Sequence, residues 1–324
     1  MKVSLLDRSR ARVGHPEGAA LEHSLARARA VEDLGYHRFW AAEHHAVPGI
    51  ASGAPAILLA AAGAVTSRIR LGSGGVMLPH HQPFVVAEQF QMLEALYPGR
   101  VDLGVGRTLG FTEPVRQALR QSSADRERFE ADITELRRYL SRSAPVTVRP
   151  ATVGAPSLFV LATGHGVETA ARLGLPVVIG GPILHSPELA ATVAAYRREF
   201  RPSEAVPAPE VMVSLDVYLA DTADEARELA LPEAWAMARS RETGEFGPLE
   251  PIQDIRAVRW SERTRARVER SLAQAVAGPP RQVSAQLAKL AERTGSEELL
   301  VSTSTYDRDA LAQIDAGLAH LLLG

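Results

Sequence analysis

Short apolar segments recur at regular intervals along this chain, and each opens into polar or glycine-rich residues at its carboxyl end. Three of them are FWAAEHH (39–45), LGSGGVMLP (71–79) and RVDLGVGR (100–107). His44 and Gly75 are 31 positions apart, and Gly75 and Arg107 are 32 positions apart. A (β/α)8 barrel repeats a strand–helix unit of this size eight times and builds its site from the strand ends. The spacing therefore predicts such a barrel.

We predict eight strands with amphipathic helices between them. The strands are expected at residues 2–6, 38–42, 70–77, 101–105, 158–162, 177–180, 211–219 and 299–303. Apolar stripes at spacings of three and four predict helices after the third and fourth strands. They consist of Val86, Phe90, Leu93 and Tyr97, and of Phe129, Ile133, Leu136 and Leu140. Ser186 before Pro187, and Thr222 with Glu225, are typical of helix starts.

Two stretches interrupt this alternation and are predicted to be insertions after strands 4 and 7. Residues 141–157 contain three prolines, and residues 239–280 form a long segment that is polar and charged. Loops of this length in a compact barrel are usually lids or partner surfaces, or are partly disordered. Neither stretch resembles a domain boundary, so residues 1–324 are expected to form a single α/β domain, a (β/α)8 TIM barrel.

The composition excludes several classes of function. A net charge of −2, from 36 basic and 38 acidic residues, argues against nucleic acid or an anionic membrane as a main partner. The absence of cysteine excludes a thiolate nucleophile and thiolate metal ligands. No apolar run approaches the roughly 18 residues of a membrane helix, and charge appears too early for a signal peptide. A cytoplasmic location is therefore expected.

The adjacent residues His44 and His45 are the first candidates for chemistry. Neighbouring residues on a strand point to opposite faces, so only one imidazole is expected in the barrel mouth. A pair of histidine ligands on a strand needs positions i and i+2, and His80 and His81 are again adjacent, so no metal site is predicted. A single inward histidine suits proton transfer because its pKa lies near neutral pH. The alternative is that both histidines only form structural hydrogen bonds.

The following strand ends offer groups that suit a flat anionic ligand. Ser73-Gly74-Gly75 leaves the mouth free of bulky side chains, although a simple bend at the strand end is equally compatible. Arg107 is a cation suited to phosphate or carboxylate. Thr163-Gly164-His165-Gly166 offers a hydroxyl, amides and a helix N-terminus, or is an ordinary tight turn. Arg126 is either a second cation for the ligand or a partner in a surface salt bridge.

Taken together, these segments resemble the bacterial-luciferase-like flavin oxidoreductases, over nearly the whole chain. The most specific parts of the resemblance are EHH (43–45), RLGSGGVMLP (70–79), GRVDLGVGR (99–107), and the stretch from GPP (278–280) to ELLV (298–301). Members of this superfamily are (β/α)8 barrels, and some use the deazaflavin F420. The resemblance implies the same fold and a flavin-type cofactor.

The resemblance also implies roles for individual residues. His44 is similar to the catalytic histidine that promotes formation and use of the adduct between reduced flavin and oxygen. The pair Gly74-Gly75 matches a non-proline cis peptide beneath the flavin ring, beside Ser73. The arginines Arg107 and Arg126 match those that hold the flavin phosphate.

Two further segments correspond to cofactor contacts in the family. The residues Thr163, Gly164, His165 and Gly166 match the phosphate-binding turn, although relatives typically offer more hydroxyls there. Gly180 and Gly181 end the sixth strand, where relatives often place an aromatic residue near the ring. The large insertion that distinguishes the luciferase catalytic subunit is missing, so light emission does not follow.

The leading expectation is an FMN-dependent monooxygenase. It would use reduced FMN (FMNH2) from a separate flavin reductase and insert one oxygen atom from O2 into a small organic substrate. One alternative is an F420-dependent dehydrogenase or reductase, with the arginine-rich run 256–270 contacting the acidic tail of F420. A second alternative is a non-catalytic flavin-binding barrel, against which an inward His44 argues. Relatives are commonly homodimers through the second and third helices, for which 54–64 and 84–96 offer apolar surface.

Overall fold

Eight parallel strands close into a barrel in the computed structural model, which describes residues 1–109, 112–120, 126–151, 154–164 and 166–324, with Arg126 described by its backbone alone. Around the barrel the strands follow the order β1-β10-β7-β6-β5-β4-β3-β2, and two further short strands, β8 and β9, pair with each other. The strands are β1 (Lys2–Asp7), β2 (Arg38–Ala41), β3 (Arg70–Met77), β4 (Val101–Gly106), β5 (Ser157–Ala162), β6 (Val177–Gly180), β7 (Val211–Leu215), β8 (Val217–Leu219), β9 (Val276–Gly278) and β10 (Glu298–Val301).

Helices surround this barrel, as expected for a (β/α)8 fold. They are α1 (Ala19–Asp33), α2 (Pro55–Ala64), α3 (Pro83–Leu96), α4 (Glu113–Ala118), α5 (Arg126–Leu140), α6 (Gly166–Leu173), α7 (Leu189–Glu199), α8 (Ala223–Thr243), α9 (Ile252–Ala257), α10 (Glu262–Gln274), α11 (Pro280–Thr294) and α12 (Arg308–Leu323). Short 3-10 turns occupy Leu78–His80 and Gly181–His185. Within the described residues, no helix is long and apolar enough to cross a membrane.

The predicted barrel is confirmed, and most predicted strand limits lie within two residues of the observed ones. The exception is the seventh strand, which the apolar pattern predicts as one segment over 211–219. It breaks at Asp216 into β7, which belongs to the barrel, and β8, which pairs with β9 instead. The apolar run continues across the break because both short strands are buried, so hydrophobicity alone does not reveal it.

The prediction of a long loop over 239–280 is wrong, because most of that segment is helical. Helix α8 extends to Thr243 from the predicted capping box of Thr222 and Glu225, and α9 and α10 follow. Val268 and Leu272, four residues apart, are buried on α10. The charges that indicated a loop lie on the outer face of an amphipathic helix. The predicted start of α7 at Pro187 is also early, since the helix begins at Leu189.

Apolar side chains fill the middle of the barrel and separate its two ends. The cluster inside the barrel comprises Trp40, Phe159, Val178, Met212 and Leu300. The larger core lies between the strands and the helices, and it includes both predicted stripes, of which Ile133 and Phe90 are fully buried. The barrel is therefore a packed core with no channel through it, and ligands must bind at its ends.

A network of ion pairs closes the amino-terminal end of the barrel. Arg38 donates hydrogen bonds to Asp102 at 2.7 Å and to Glu298 at 2.8 Å, and Arg70 donates to Asp102 at 2.6 Å. The side chain of Asp102 is fully buried, and it also accepts a hydrogen bond from Trp40. Since these charges neutralise one another, this end of the barrel is structural.

Candidate active site

A cavity of about 950 Å³ opens at the carboxyl-terminal end of the barrel. It is lined by residues at the ends of successive strands, among them His44, Gly75, Arg107, Thr163 and Gly180. Enzymes with this fold place their active sites at this end because the loops that follow the strands can vary without disturbing the core. A second depression of about 710 Å³ lies along the outer face of α5, away from the strand ends.

Most of the predicted site residues line this one cavity. They are His44, Gly74, Gly75, Arg107, Thr163, Gly164, Gly166, Gly180 and Gly181. Ser73 does not, because its fully buried hydroxyl donates a hydrogen bond to the carbonyl of Gly104 at 2.8 Å. The predicted contacts of His165 and of the Arg126 side chain lie outside the described residues.

Backbone forms the wall of the cavity beside β3 and β4. The peptide bond between Gly74 and Gly75 is cis, as the family resemblance implies, and the β3–β4 ladder is interrupted there. A Cβ atom on Gly74 would lie 2.3 Å from Cδ1 of Leu6, and one on Gly75 would lie 2.8 Å from the carbonyl oxygen of Gly104. Backbone packing therefore excludes a side chain at Gly75, whereas at Gly74 only the flexible end of Leu6 would have to move. With glycine at both positions, this wall offers a surface suited to a flat ring.

Groups that bind anions lie at the ends of β4 and β5. Arg107 follows β4 directly, and no carboxylate of the described residues pairs with it. Thr163 and Gly164 come just before α6, which starts at Gly166, so the positive end of this helix is at the cavity. A cation together with a helix N-terminus favours a phosphate group.

His44 is electrically neutral in this environment. Burial lowers its pKa to about 4, and the positive charges of Arg8 and Arg10 act in the same direction, against the opposing effect of Glu43 and Glu233. A neutral imidazole has one nitrogen that can accept a proton and one that can donate. His44 can therefore transfer protons at neutral pH without first losing one.

The two adjacent histidines lie beyond the strand alternation on which their predicted orientations depended. Both His44 and His45 line the cavity, because β2 ends at Ala41 and the following residues are not in a strand. The alternation of side chains holds only while the backbone is extended and paired. The sequence pattern indicated the right place, but not the orientation of each ring.

The charged groups beneath His44 were missed by the sequence analysis. Arg8 donates hydrogen bonds to Glu233 and to Asp216, each at 2.9 Å, and Arg10 donates to Glu233 at 2.9 Å. Two signals could have revealed them. Arg8 and Arg10 stand at positions i and i+2 just beyond the end of β1, and Asp216 is an acidic residue inside an apolar run.

Asp216 adds a carboxylate to the cavity. Its side chain is 32% exposed, and Ser302 and Arg8 both donate hydrogen bonds to its Oδ1 atom. Burial raises its pKa, and the neighbouring Arg8 partly opposes this effect. The cavity thus contains a hydrogen-bond acceptor for a substrate at the end of β7, and in the barrel β6 separates this strand from β5.

A second cluster surrounds Glu43, next to His44 in the sequence. One carboxylate oxygen of Glu43 accepts hydrogen bonds from His45 at 2.6 Å and from His81 at 2.7 Å, and the other accepts from the amide of Met77 at 3.1 Å. Burial opposes ionisation, but these hydrogen bonds lower the pKa of Glu43 to about 2. The sequence pattern alone indicated no group that could complete a ligand set with the histidines.

In the arginine-rich run 256–270, the arginines whose partners are observed do not contact the cavity. Arg256 pairs with Glu228, and Arg267 lies 3.6 Å from Glu242, so both bind to α8 on the outside of the barrel. The run therefore gives no support to a binding site for the acidic tail of F420.

Comparison with known proteins agrees with this geometry. The model of the luciferase-like monooxygenase family matches residues 1–298. This chain belongs to that family. A luciferase-like monooxygenase of Escherichia coli (strain K12) is 36% identical over 315 residues, which cover 95% of this chain and 92% of that protein.

Solved structures share the fold of this luciferase-like monooxygenase. Apo-MsnO8 superposes with a TM-score of 0.89 at 33% identity, over 99% of this chain and 98% of that one. The oxygenating constituent of 3,6-diketocamphane monooxygenase from Pseudomonas putida, solved with FMN, has a TM-score of 0.76 at 18% identity, over 98% and 96%. An F420-dependent secondary alcohol dehydrogenase has a TM-score of 0.68 at 16% identity, over 99% and 98%. The last two show the fold alone.

The predictions of the family, of the barrel and of an oxidoreductase of the monooxygenase type are confirmed. Of the two more distant structures, one was solved with FMN and the other with an F420-acetone adduct.

Proposed function

We propose that this chain is an FMN-dependent monooxygenase that uses reduced FMN and O2 to oxygenate a small organic substrate. The proposal depends on one cavity that joins Arg107, which has no carboxylate partner among the described residues, and the N-terminus of α6 to a backbone wall and a neutral His44. Arg107 and the N-terminus of α6 suit a phosphate, the backbone wall suits a flat ring, and His44 can transfer protons. The cavity volume of about 950 Å³ leaves room for a substrate beside the ring.

In this proposal each residue has a defined task. Arg107, Thr163 and the amides that begin α6 bind the phosphate, and the Gly74-Gly75 backbone supports the ring. The apolar side chains of Leu161 and Leu184 line the same cavity and exclude water from it.

The bound flavin supplies the electrons, so that one oxygen atom of O2 enters the substrate and the other leaves as water. His44 moves protons during this reaction. Asp216 accepts a hydrogen bond from the substrate.

A separate reductase is the source of the reduced cofactor in this proposal. Among the described residues, the only sheet besides the barrel is the short pair of β8 and β9. A dinucleotide-binding domain needs an open parallel sheet with a glycine-rich turn, and such a sheet is not found there. This arrangement supports a two-component system.

The test compares cofactors directly. The purified protein is titrated anaerobically with reduced FMN, reduced riboflavin and reduced F420, and binding is followed by calorimetry. We expect reduced FMN to bind most tightly, because only the combination of ring and short phosphate matches the cavity. Binding of F420 in preference to FMN would overturn the proposal in favour of a dehydrogenase or reductase.

A second experiment separates catalysis from storage. The protein, FMN and a flavin reductase are incubated under ¹⁸O2 with a panel of small sulfides, ketones and aldehydes, and products are analysed by mass spectrometry. A product that carries one labelled oxygen atom supports the monooxygenase. Tight FMN binding with no labelled product from any substrate class would favour the non-catalytic barrel.

We also propose a homodimer formed through α2 and α3. Three large apolar side chains of these two neighbouring helices are mostly exposed: Ile57 at 74%, Leu96 at 61% and Met92 at 55%. Burying such a patch is favourable at about 25 cal/mol per Å². Light scattering should show a dimer for the unmodified protein and a monomer for the Ile57→Glu/Met92→Glu variant. Val258→Glu, at an exposed apolar residue elsewhere, should remain a dimer.

A further inference from the structure

We propose that Glu43, His45 and His81 form a binding site for a divalent transition-metal ion of the zinc class, meaning Zn²⁺, Co²⁺ or Ni²⁺. Each residue offers one ligand atom, and these atoms lie within 4.8 Å of one another. Two imidazoles and one carboxylate are a ligand set that suits these ions, and three protein ligands leave a position open for water. The site does not depend on a bound flavin.

The chain presents these ligands from two fixed segments. Glu43 and His45 stand at positions i and i+2 after β2, and His81 follows the 3-10 turn after β3. The second oxygen of Glu43 is held by the amide of Met77 at 3.1 Å. This outer hydrogen bond orients the carboxylate in the way that outer contacts orient metal ligands in proteins.

Burial of the cluster is uneven in a way that suits metal binding. The Glu43 side chain is 1% exposed, whereas those of His45 and His81 are 19% and 29% exposed. The negative charge is therefore buried, with two neutral or positive partners on the solvent side. An ion can reach the cluster from solvent. Its strongest electrostatic attraction is to the buried carboxylate of Glu43, because the effective dielectric constant is lower there.

The distances correspond to the metal-free form of such a site. The nitrogen–oxygen distances of 2.6 and 2.7 Å are those of hydrogen bonds, which an imidazole N–H donates to the carboxylate. A tetrahedral ion with bonds of about 2.0–2.1 Å needs its ligand atoms about 3.3 Å apart. Each nitrogen–oxygen pair must therefore open by roughly 0.6 Å when the ion binds and the proton on each Nε2 atom moves to Nδ1 or to solvent, a shift that partly exposed side chains can make.

His80 provides an independent indication of a ligand. Both of its ring nitrogens are buried, and neither has a hydrogen-bond partner among the described residues. Its ring lies edge-on to that of His45, with 6.0 Å between the centroids. Buried polar atoms without a partner are rare in proteins, and a bound ion or water molecule often satisfies them. A metal ion with its bound water beside His45 would provide such a partner.

The experiment measures metal binding to the full-length, flavin-free protein. Metal is first removed with a chelator, and the protein is then titrated with Zn²⁺ in competition with a chromophoric indicator. We expect one ion per chain. The variants His81→Ala and Glu43→Gln should each weaken binding at least tenfold, because even the loss of an outer contact typically costs 10- to 100-fold in metal affinity.

The control is His320→Ala, at an exposed histidine on α12, which should bind Zn²⁺ as the unmodified protein does. Circular dichroism checks that each variant is folded, and Glu43→Gln preserves the shape of the side chain if His81→Ala does not fold. A parallel titration with Co²⁺ should produce a visible absorption band that both variants lose. The proposal is overturned if the unmodified protein binds no stoichiometric metal, or if the variants bind it equally well.

Discussion

The two ends of the barrel use charged residues in opposite ways. At the amino-terminal end, Arg38, Asp102 and Glu298 bind one another in a closed network, and Asp102 is fully buried. At the carboxyl-terminal end, Arg107 has no carboxylate partner among the described residues, and Asp216 faces the cavity. Buried charges that pair within the fold are costly to leave unpaired, whereas charges left available at the strand ends can bind ligands.

The largest expected effect concerns proton transfer at the open end. Replacing His44 by Ala should slow turnover about 10²- to 10⁴-fold, which is typical of losing a general acid–base group, and should leave FMN affinity unchanged. Steady-state kinetics and calorimetry measure the two effects. His185→Ala, at another histidine that lines the cavity, is the control and should lose much less activity. Equal losses of activity in both variants would contradict a role of His44 in proton transfer.

At the closed end, the expected effect is on stability and not on binding. Asp102→Asn leaves Arg38 and Arg70 without their buried carboxylate, so the free energy of unfolding should fall by about 3–5 kcal/mol. Denaturant titration measures this loss. Glu199→Gln removes a carboxylate from an exposed ion pair and should cost at most about 1 kcal/mol. The contrast between the two ends would fail if Asp102→Asn weakened FMN binding but left stability intact.

The depressed pKa of His44 predicts how stability changes with pH. Between pH 6.5 and about pH 4, His44 is protonated in the unfolded chain but neutral in the folded protein. The free energy of unfolding therefore falls as pH decreases through this interval, by up to roughly 3 kcal/mol for this group.

Since His23 also has a pKa lowered to about 4, the measured quantity is the difference between the unmodified protein and His44→Gln. Urea titrations at pH 7, 5.5 and 4 should show that the variant loses less stability on acidification. Parallel pH profiles would mean that His44 is not buried as a neutral group.

The smallest of these effects concerns the phosphate. Arg107→Ala should weaken FMN binding by about 10- to 100-fold, because a hydrogen bond to a charged group contributes about 1.5–3 kcal/mol. Riboflavin, which lacks the phosphate, should lose little affinity. Arg241→Ala, at another arginine of the cavity wall, tests whether any positive charge has the same effect. Equal losses for FMN and riboflavin would place the phosphate elsewhere.

Much of the site could be predicted because it lies at strand ends, and strand ends are visible as local pattern. His44, Gly75 and Arg107 each follow an apolar segment, and the parallel barrel brings such ends together. The failures have local causes as well. Ser73 looked available, yet its hydroxyl binds Gly104 on the neighbouring strand, and the orientation of His45 depends on where β2 stops.

Periodicity and turn chemistry were sufficient to predict the helix stripes, because these depend on residues within a few positions of one another, and the regular spacing of strand–helix units was sufficient to predict the barrel. Contacts between distant segments were decided only in three dimensions. Arg8 meets Glu233 across 225 positions, and Glu43 meets His81 across 38. The sequence marks residues such as Arg8 as unusual, but it does not identify their partners, since the pairing depends on barrel closure and on the helices that cover the barrel.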